Sequence, residues 1–192
     1  MINSLFKYQF LQNAVIAGIL ASIVCGIIGV IIVEKKLVMM SGGIAHTSYG
    51  GVGLGFLLKF EPIIGAFIFS LLAALGIGYI KRNNIVRSDV IIGLFWSFGM
   101  ALGVIFITMM PGYPPDLNSY LFGNILSVTR ANLYLMLAAT LIVVILIVSL
   151  FDYWKAYLFD DEFATIIGVK TAFLEYLLMI LIAITVVVLI RV

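Results

Sequence analysis

Charge is what this chain has least of. Only 10% of its 192 residues are Asp, Glu, Lys or Arg, against roughly a quarter in soluble domains, and no hydrophilic stretch is long enough to build a soluble domain. Cysteine is nearly absent too. Cys25 stands alone, which rules out an intrachain disulfide and leaves compartment unargued; its plain reading is a small apolar residue in helix packing. A single histidine, His46, forbids a His-Glu-x-x-His metalloprotease arrangement, and no nucleophile stands beside a base. There is no Gly-rich loop ending in Lys-Ser or Lys-Thr to cradle nucleotide phosphates. The eleven cations are scattered along connections rather than gathered on one face, which argues against a nucleic-acid partner.

Apolar residues fill the space these absences leave. They make up 64% of the chain, and the mean hydropathy is +1.26. A helix needs about 20 apolar residues to cross the hydrocarbon core, and six runs qualify: Ala14–Val33, Leu37–Leu58, Ile63–Ile80, Val90–Met110, Leu133–Phe151 and Ala172–Ile190. Barrel-type alternation is missing, so backbone polar groups must be satisfied inside helices. The expectation is one all-α, polytopic bundle over residues 1–192. The first run has full span length and only Lys7 before it as a cation, so it reads as a retained span and not a cleaved signal. With the amino terminus outside, inner connections carry seven cations (Lys35, Lys36, Lys81, Arg82, Arg87, Lys155, Lys170) and outer ones four (Lys7, Lys59, Arg130, Arg191). That bias predicts amino terminus out.

Three connections stand out. The opening 3–11 mixes aromatic and polar residues, which suits a short helix lying in the lipid interface. In 111–127, three prolines forbid helix continuation; its tyrosines suit either headgroup anchoring or a surface for an external partner, with Asp116 and Asn118 as candidate contacts. In 152–171, Asp160, Asp161 and Glu162 before Phe163-Ala164-Thr165-Ile166-Ile167, with Gly168 after, are the cap, first-turn and stop signals of a short helix. Such a helix fits a groove on another protein; the plain alternative is a solvated turn. Glu175 lies near the inner end of the last run, where it reaches the interface, pairs with a neighbouring cation, or takes part in transport.

His46 lies within Met40-Ser41-Gly42-Gly43-Ile44-Ala45-His46-Thr47-Ser48-Tyr49-Gly50-Gly51-Val52-Gly53-Leu54-Gly55. An ionisable group in a span is costly unless used. On a helix, Gly42, His46, Gly50 and Gly53 share a strip with little side-chain bulk, open to close approach.

That segment with Met39 before it, together with Ser88-Asp89-Val90-Ile91-Ile92-Gly93, Leu121-Phe122-Gly123-Asn124-Ile125-Leu126 and Asp161-Glu162-Phe163-Ala164-Thr165-Ile166-Ile167-Gly168-Val169, resembles the membrane permease subunits of ABC importers for zinc, manganese or iron. The resemblance covers essentially the whole chain. It implies the transmembrane-domain fold of an ABC importer in a bacterial or archaeal cytoplasmic membrane, with two permease copies forming the pathway among membrane lipids. A cytoplasmic ATP-binding subunit would energise it and an external metal-binding protein would feed it. The chain itself would then be no enzyme and bind no cofactor beyond the divalent metal it carries. Family members continue with further spans, so the resemblance implies that these residues are the amino-terminal majority of one.

By the same resemblance, His46 matches a pathway histidine, and Asp161, Glu162, Phe163, Ala164, Thr165, Ile166, Ile167, Gly168 and Val169 match the helix that couples to the ATPase. Many relatives carry an aspartate four residues before the histidine; here that residue is Gly42. Neutral imidazole suits zinc, iron and copper, while carboxylate and water suit manganese. One imidazole binds weakly, as a conduit requires; a second copy's His46, with Ser41, Thr47, Ser48 or water, would complete a shell. The alternative for His46 is an interhelical hydrogen bond to a carbonyl. The alternative for the whole chain is a nucleotide-independent secondary transporter or channel, which calls for repeated span pairs or buried mid-span acids, and neither is evident.

Overall fold

The structure, a computed structural model, describes residues 8–83, 88–112 and 123–190. Its helices are α1 (Gln9–Glu34), α2 (Val38–Leu58), α3 (Pro62–Arg82), α4 (Ser88–Thr108), α5 (Arg130–Ser149), the short α6 (Phe151–Phe159) and α7 (Asp161–Ile166), and α8 (Thr171–Leu189), with a 3-10 turn at Ile125–Ser127. No strand occurs among the described residues.

Tight reversals join the first three helices. At the end of α1, Lys36 takes a left-handed φ of 57°, and the Leu37 N–H donates to the Ile32 carbonyl at 2.8 Å. At the end of α2, Lys59 does the same with φ 59°, and the Phe60 N–H reaches the Gly55 carbonyl at 3.0 Å. Both close the helix end through the hydrogen bond that satisfies an orphan carbonyl. Pro62 then opens α3, where its missing N–H costs nothing.

Among the described residues, five helices are long and apolar enough to cross a membrane: α1, α3, α4, α5 and α8. The expectation of six apolar spans is therefore corrected by one, and the exception is α2. It is as long as α3, but its glycines, Ser41, His46, Thr47 and Ser48 dilute its hydropathy. The packing gives the reason. α2 is sheathed by α3, α4 and α8, so it has little need of side chains that dissolve in lipid.

In lipid, helices associate through close packing and not through a hydrophobic drive, and here small residues let backbones meet. A Cβ on Gly51 would land on the Gly65 carbonyl, and one on Gly65 would land on the Gly51 carbonyl. Across the other side of α2, a Cβ on Gly99 would strike the Thr47 backbone, and Cβ atoms on Gly50 and Gly53 would come within 2.9 Å of the Gly99 carbonyl and 2.8 Å of the Gly103 carbonyl. Ile28, Ile44, Ile77, Leu178, Met179 and Ile182 fill the adjoining core, all fully buried. α1 packs mainly on α5, with α8 between that pair and the α2–α4 block.

The two ends of the bundle differ in chemistry. At one end, Lys35 pairs with Asp161 at 3.2 Å, and Lys81 and Arg82 pair with Glu175 at 3.4 and 3.0 Å. At the other, the Asn13 amide donates to the Val128 carbonyl at 3.0 Å, holding the 3-10 turn against α1. The connection between α5 and α8 holds two helices where the sequence predicts one, because Trp154, fully buried and donating from Nε1 to the Leu146 carbonyl at 3.3 Å, anchors α6. The expected interfacial helix at 3–11 falls largely outside the described residues; Gln9–Leu11 form the first turn of α1.

Candidate functional site

His46 sits mid-helix on α2, on the face that meets α4. Its imidazole stacks on the Trp96 indole, ring centroids 3.9 Å apart and planes 16° from parallel. The same indole lies over Gly42, where an added Cβ would come within 3.3 Å of the Trp96 ring. Trp96 thus occupies the space beside His46 that a side chain at position 42 would enter. The two glycine-lined crossings around His46 make this close packing possible.

The imidazole Nδ1 is buried without a hydrogen-bond partner, the only such side-chain atom among the described residues. An unpaired buried nitrogen costs roughly 1–3 kcal/mol, and a bound ligand is one way such an atom is satisfied. The expected alternative, a hydrogen bond from the ring to a neighbouring carbonyl, is not made at Nδ1. Among the hydroxyls expected to help, Thr47 Oγ1 donates toward the Gly43 and Phe95 carbonyls at 2.7 and 2.9 Å, tying α2 to α4. Ser48 Oγ donates to the Ala45 carbonyl at 2.5 Å and Ser41 Oγ to the Val38 carbonyl at 2.8 Å. Thr47 and Ser48 are buried in these roles, which leaves Ser41 as the accessible hydroxyl. No group of three or more His, Cys, Asp or Glu converges among the described residues. One imidazole with one unpaired nitrogen offers too few donors to hold a cation tightly.

The second candidate surface is α7. The Asp160 carboxylate accepts from the Glu162 and Phe163 N–H groups, both at 2.9 Å, capping the helix as its sequence predicts. At the other end Gly168 has φ 87°; its N–H donates to the Thr165 carbonyl at 3.1 Å and the Val169 N–H to the Ala164 carbonyl at 2.9 Å, the paired bonds of a glycine-terminated helix. Ala164 is fully buried against the bundle, while Phe159 and Ile166 are 91% and 82% exposed and Phe163 and Ile167 about half. This leaves an exposed apolar knob, edged by Asp160, Asp161 and Glu162.

The knob is held from below. Lys35 Nζ lies 3.2 Å from Asp161 Oδ1 and 4.0 Å from the centroid of the Tyr157 ring. Burial opposes ionisation of Asp161, but hydrogen bonds from Lys35 and its own backbone, with the charges of Lys35 and Lys81, hold its carboxyl below the usual range. Burial first, then the negative charges of Glu175 and Asp161, push the Tyr157 phenol well above its ordinary value. Glu175 takes the second of its expected roles: its side chain is 14% exposed and bonded to both Lys81 and Arg82.

Asp116 and Asn118 lie outside the described residues. Sequence reasoning missed Trp96 and the purpose of Lys35. A signal for Trp96 existed, since Trp96, Gly99 and Gly103 follow at steps of three and four, placing the indole on the glycine face of α4.

Residues 7–192 match the ABC 3 transport family. The chain is 44% identical to an uncharacterized membrane protein of Synechocystis sp., over 94% of this chain and 64% of that protein. It is 38% identical to the manganese import system permease protein ScaB of Streptococcus gordonii, over 94% of this chain and 64% of ScaB. Among solved structures it is similar to PsaBC from Streptococcus pneumoniae in complex with Fab, with TM-score 0.85 and 37% identity, over 99% of this chain and 68% of that one. The chain thus spans a little under two thirds of the length of these curated relatives.

Proposed function

The chain belongs to the ABC 3 transport family, and from that premise we propose that it forms the membrane pathway of an ABC importer for a divalent transition metal. The observation that carries this reading is the unpartnered Nδ1 of His46 in a helix crossing walled by glycine. A cation that reaches this buried atom meets a nitrogen donor that nothing else satisfies. The relatives named for manganese support manganese as a cargo, while the imidazole, with Gly42 in place of a carboxylate, favours zinc or iron. Ser41 and water fill out the transient shell, and a second copy of the chain brings a second imidazole across a two-fold axis.

The exposed apolar face of α7, with Asp161 to Val169 as its segment, fits a groove on a cytoplasmic ATP-hydrolysing subunit. Catalysis then belongs to that partner. The basic end of the bundle faces the cytoplasm, which puts the amino terminus outside, and an external metal-binding protein docks on the opposite end, where Asp116 and Asn118 are the contacts to test. A proton- or ion-relay transporter is disfavoured because Glu175, the one acid in α8, lies near its first turns and is paired with Lys81 and Arg82 at the basic end.

The test is His46→Ala in proteoliposomes carrying the assembled transporter, with manganese, zinc and iron uptake measured by mass spectrometry beside ATP hydrolysis. Uptake of at least one metal falls about tenfold or more while hydrolysis persists, as expected when a positioned ligand is removed from a pathway. Unchanged uptake of all three would remove His46 from the mechanism.

A further inference from the structure

Lys35 occupies the C-terminal cap of α1, yet its side chain does not run out to solvent as a helix-end lysine ordinarily does. It is only 15% exposed, while the Asp161 side chain it reaches is 67% exposed. The ammonium lies on the face of Tyr157, itself buried, at 4.0 Å, and meets the Asp161 carboxylate at 3.2 Å. A cation withdrawn from water against one aromatic face and one carboxylate is held in place by both together, although the ion pair alone is modest because Asp161 is largely exposed. Its two partners belong to α6 and α7, and its own backbone to α1. One side chain therefore bridges the apolar knob and a membrane-crossing helix that is 126 residues away in sequence.

α1 is a suitable rod for what such a bridge would carry. Its 26 unbroken residues span about 39 Å at 1.5 Å per residue. Near its far end the Asn13 amide bonds the Val128 carbonyl at 3.0 Å, and Gly18 packs against the Ile125 side chain. A displacement at Lys35 is thus delivered to the segment that leads into α5 at the opposite end of the bundle.

We propose that Lys35 is a positioning residue for energy coupling: clamped between Tyr157 and Asp161, it ties α7 to α1, so that movement of α7 by a docked ATP-hydrolysing subunit is transmitted along α1 across the membrane. This rests on the reading of α7 as the docking element. The partner recognised is the ATPase subunit; Lys35 does not touch it and acts through Asp161 and Tyr157.

The experiment uses the assembled transporter in proteoliposomes with wild type, Lys35→Met, Lys35→Arg, Tyr157→Phe and Tyr157→Leu. Three quantities are read for each: ATPase subunit retained per permease, ATP hydrolysed, and metal taken up per ATP. Expected is retention of the subunit and of hydrolysis in Lys35→Met with uptake per ATP down about tenfold, and recovery in Lys35→Arg, which keeps both the charge and the ring contact. Tyr157→Phe keeps the ring and behaves as wild type, whereas Tyr157→Leu resembles Lys35→Met. Should Lys35→Met not assemble, the Tyr157 pair decides alone. Uptake per ATP unchanged in Lys35→Met, or equal in the two Tyr157 variants, overturns the proposal. Failure of the wild-type chain to retain an ATPase subunit would instead overturn the docking reading, and this inference with it.

Discussion

Asp161 shows how a single carboxylate can be both exposed and committed. Its folded-state affinity for protons is depressed by Lys35 and backbone hydrogen bonds that outweigh burial. A depressed carboxyl contributes stability above its unfolded value, near 4, and loses it as pH falls through the lower folded value. The Lys35–Asp161 contribution is therefore constant from neutral pH down to about 4 and declines only below. Because Asp161 is largely exposed, the contribution is modest, about 0.2–1 kcal/mol. Thermal unfolding of wild type and Asp161→Asn in detergent, from pH 7 to pH 3, checks this: the gap between them holds and then closes at the acid end. A gap that closed near pH 6 would point to a different titrating group. The acids of this region were legible in sequence as a helix start, since capping is a local matter of residues three apart. Their partner was not, because nothing local relates Lys35 to Asp161. Trp96 was hidden in the same way; its meaning arises only where α4 meets Gly42 and His46.

At the scale of elements, α2 has the length of a membrane-crossing helix without the hydropathy of one. Its boundaries were legible to within a residue, Leu37–Leu58 expected and Val38–Leu58 found. Its apolarity was overstated, because a helix sheathed by other helices can be built from glycine and hydroxyl residues instead of leucine. The glycine strip was visible as a periodicity, but which helix would lie on each side of it was not. The crossing with α3 makes a sharp prediction. Gly51→Ala forces a methyl group onto the Gly65 backbone, where no side chain can swing aside, and overpacking of this kind costs about 1–3 kcal/mol or more. Gly29→Ala, where nothing lies within 4 Å, is the control and is neutral or slightly stabilising through helix propensity. Thermal unfolding of the two variants should separate them by several degrees, about what 1–3 kcal/mol yields in a chain of this size; equal melting would mean the backbones are not in contact.

For the molecule as a whole, alternation of apolar runs with short connections was enough to foresee an all-helical bundle, because in lipid the backbone has no other way to be satisfied. The pairing of helices was beyond it, since α1 prefers α5 over its sequence neighbour α2 and lipid-facing and helix-facing residues are equally apolar. The arrangement of ends is open to a direct check. In a Cys25→Ser background, single cysteines replacing Asn83 and Phe159 should react with an impermeant maleimide from the cytoplasmic side, and those replacing Lys59 and Met109 from the other. Asn83 and Phe159 labelling from opposite sides would contradict the shared basic end formed by Lys35, Lys81, Arg82, Asp161 and Glu175.

The bare meeting of Gly51 and Gly65 also sets how closely two helices are joined. Two main chains in direct contact, with no methyl or methylene between them, leave no gap for an added side chain to relax into. α2 and α3 are packed as one unit, and the Thr47 hydroxyl ties α4 to it through the Phe95 carbonyl. α8 lies between that unit and the α1–α5 pair, and His46 belongs to the unit, on the face of α2 that meets α4.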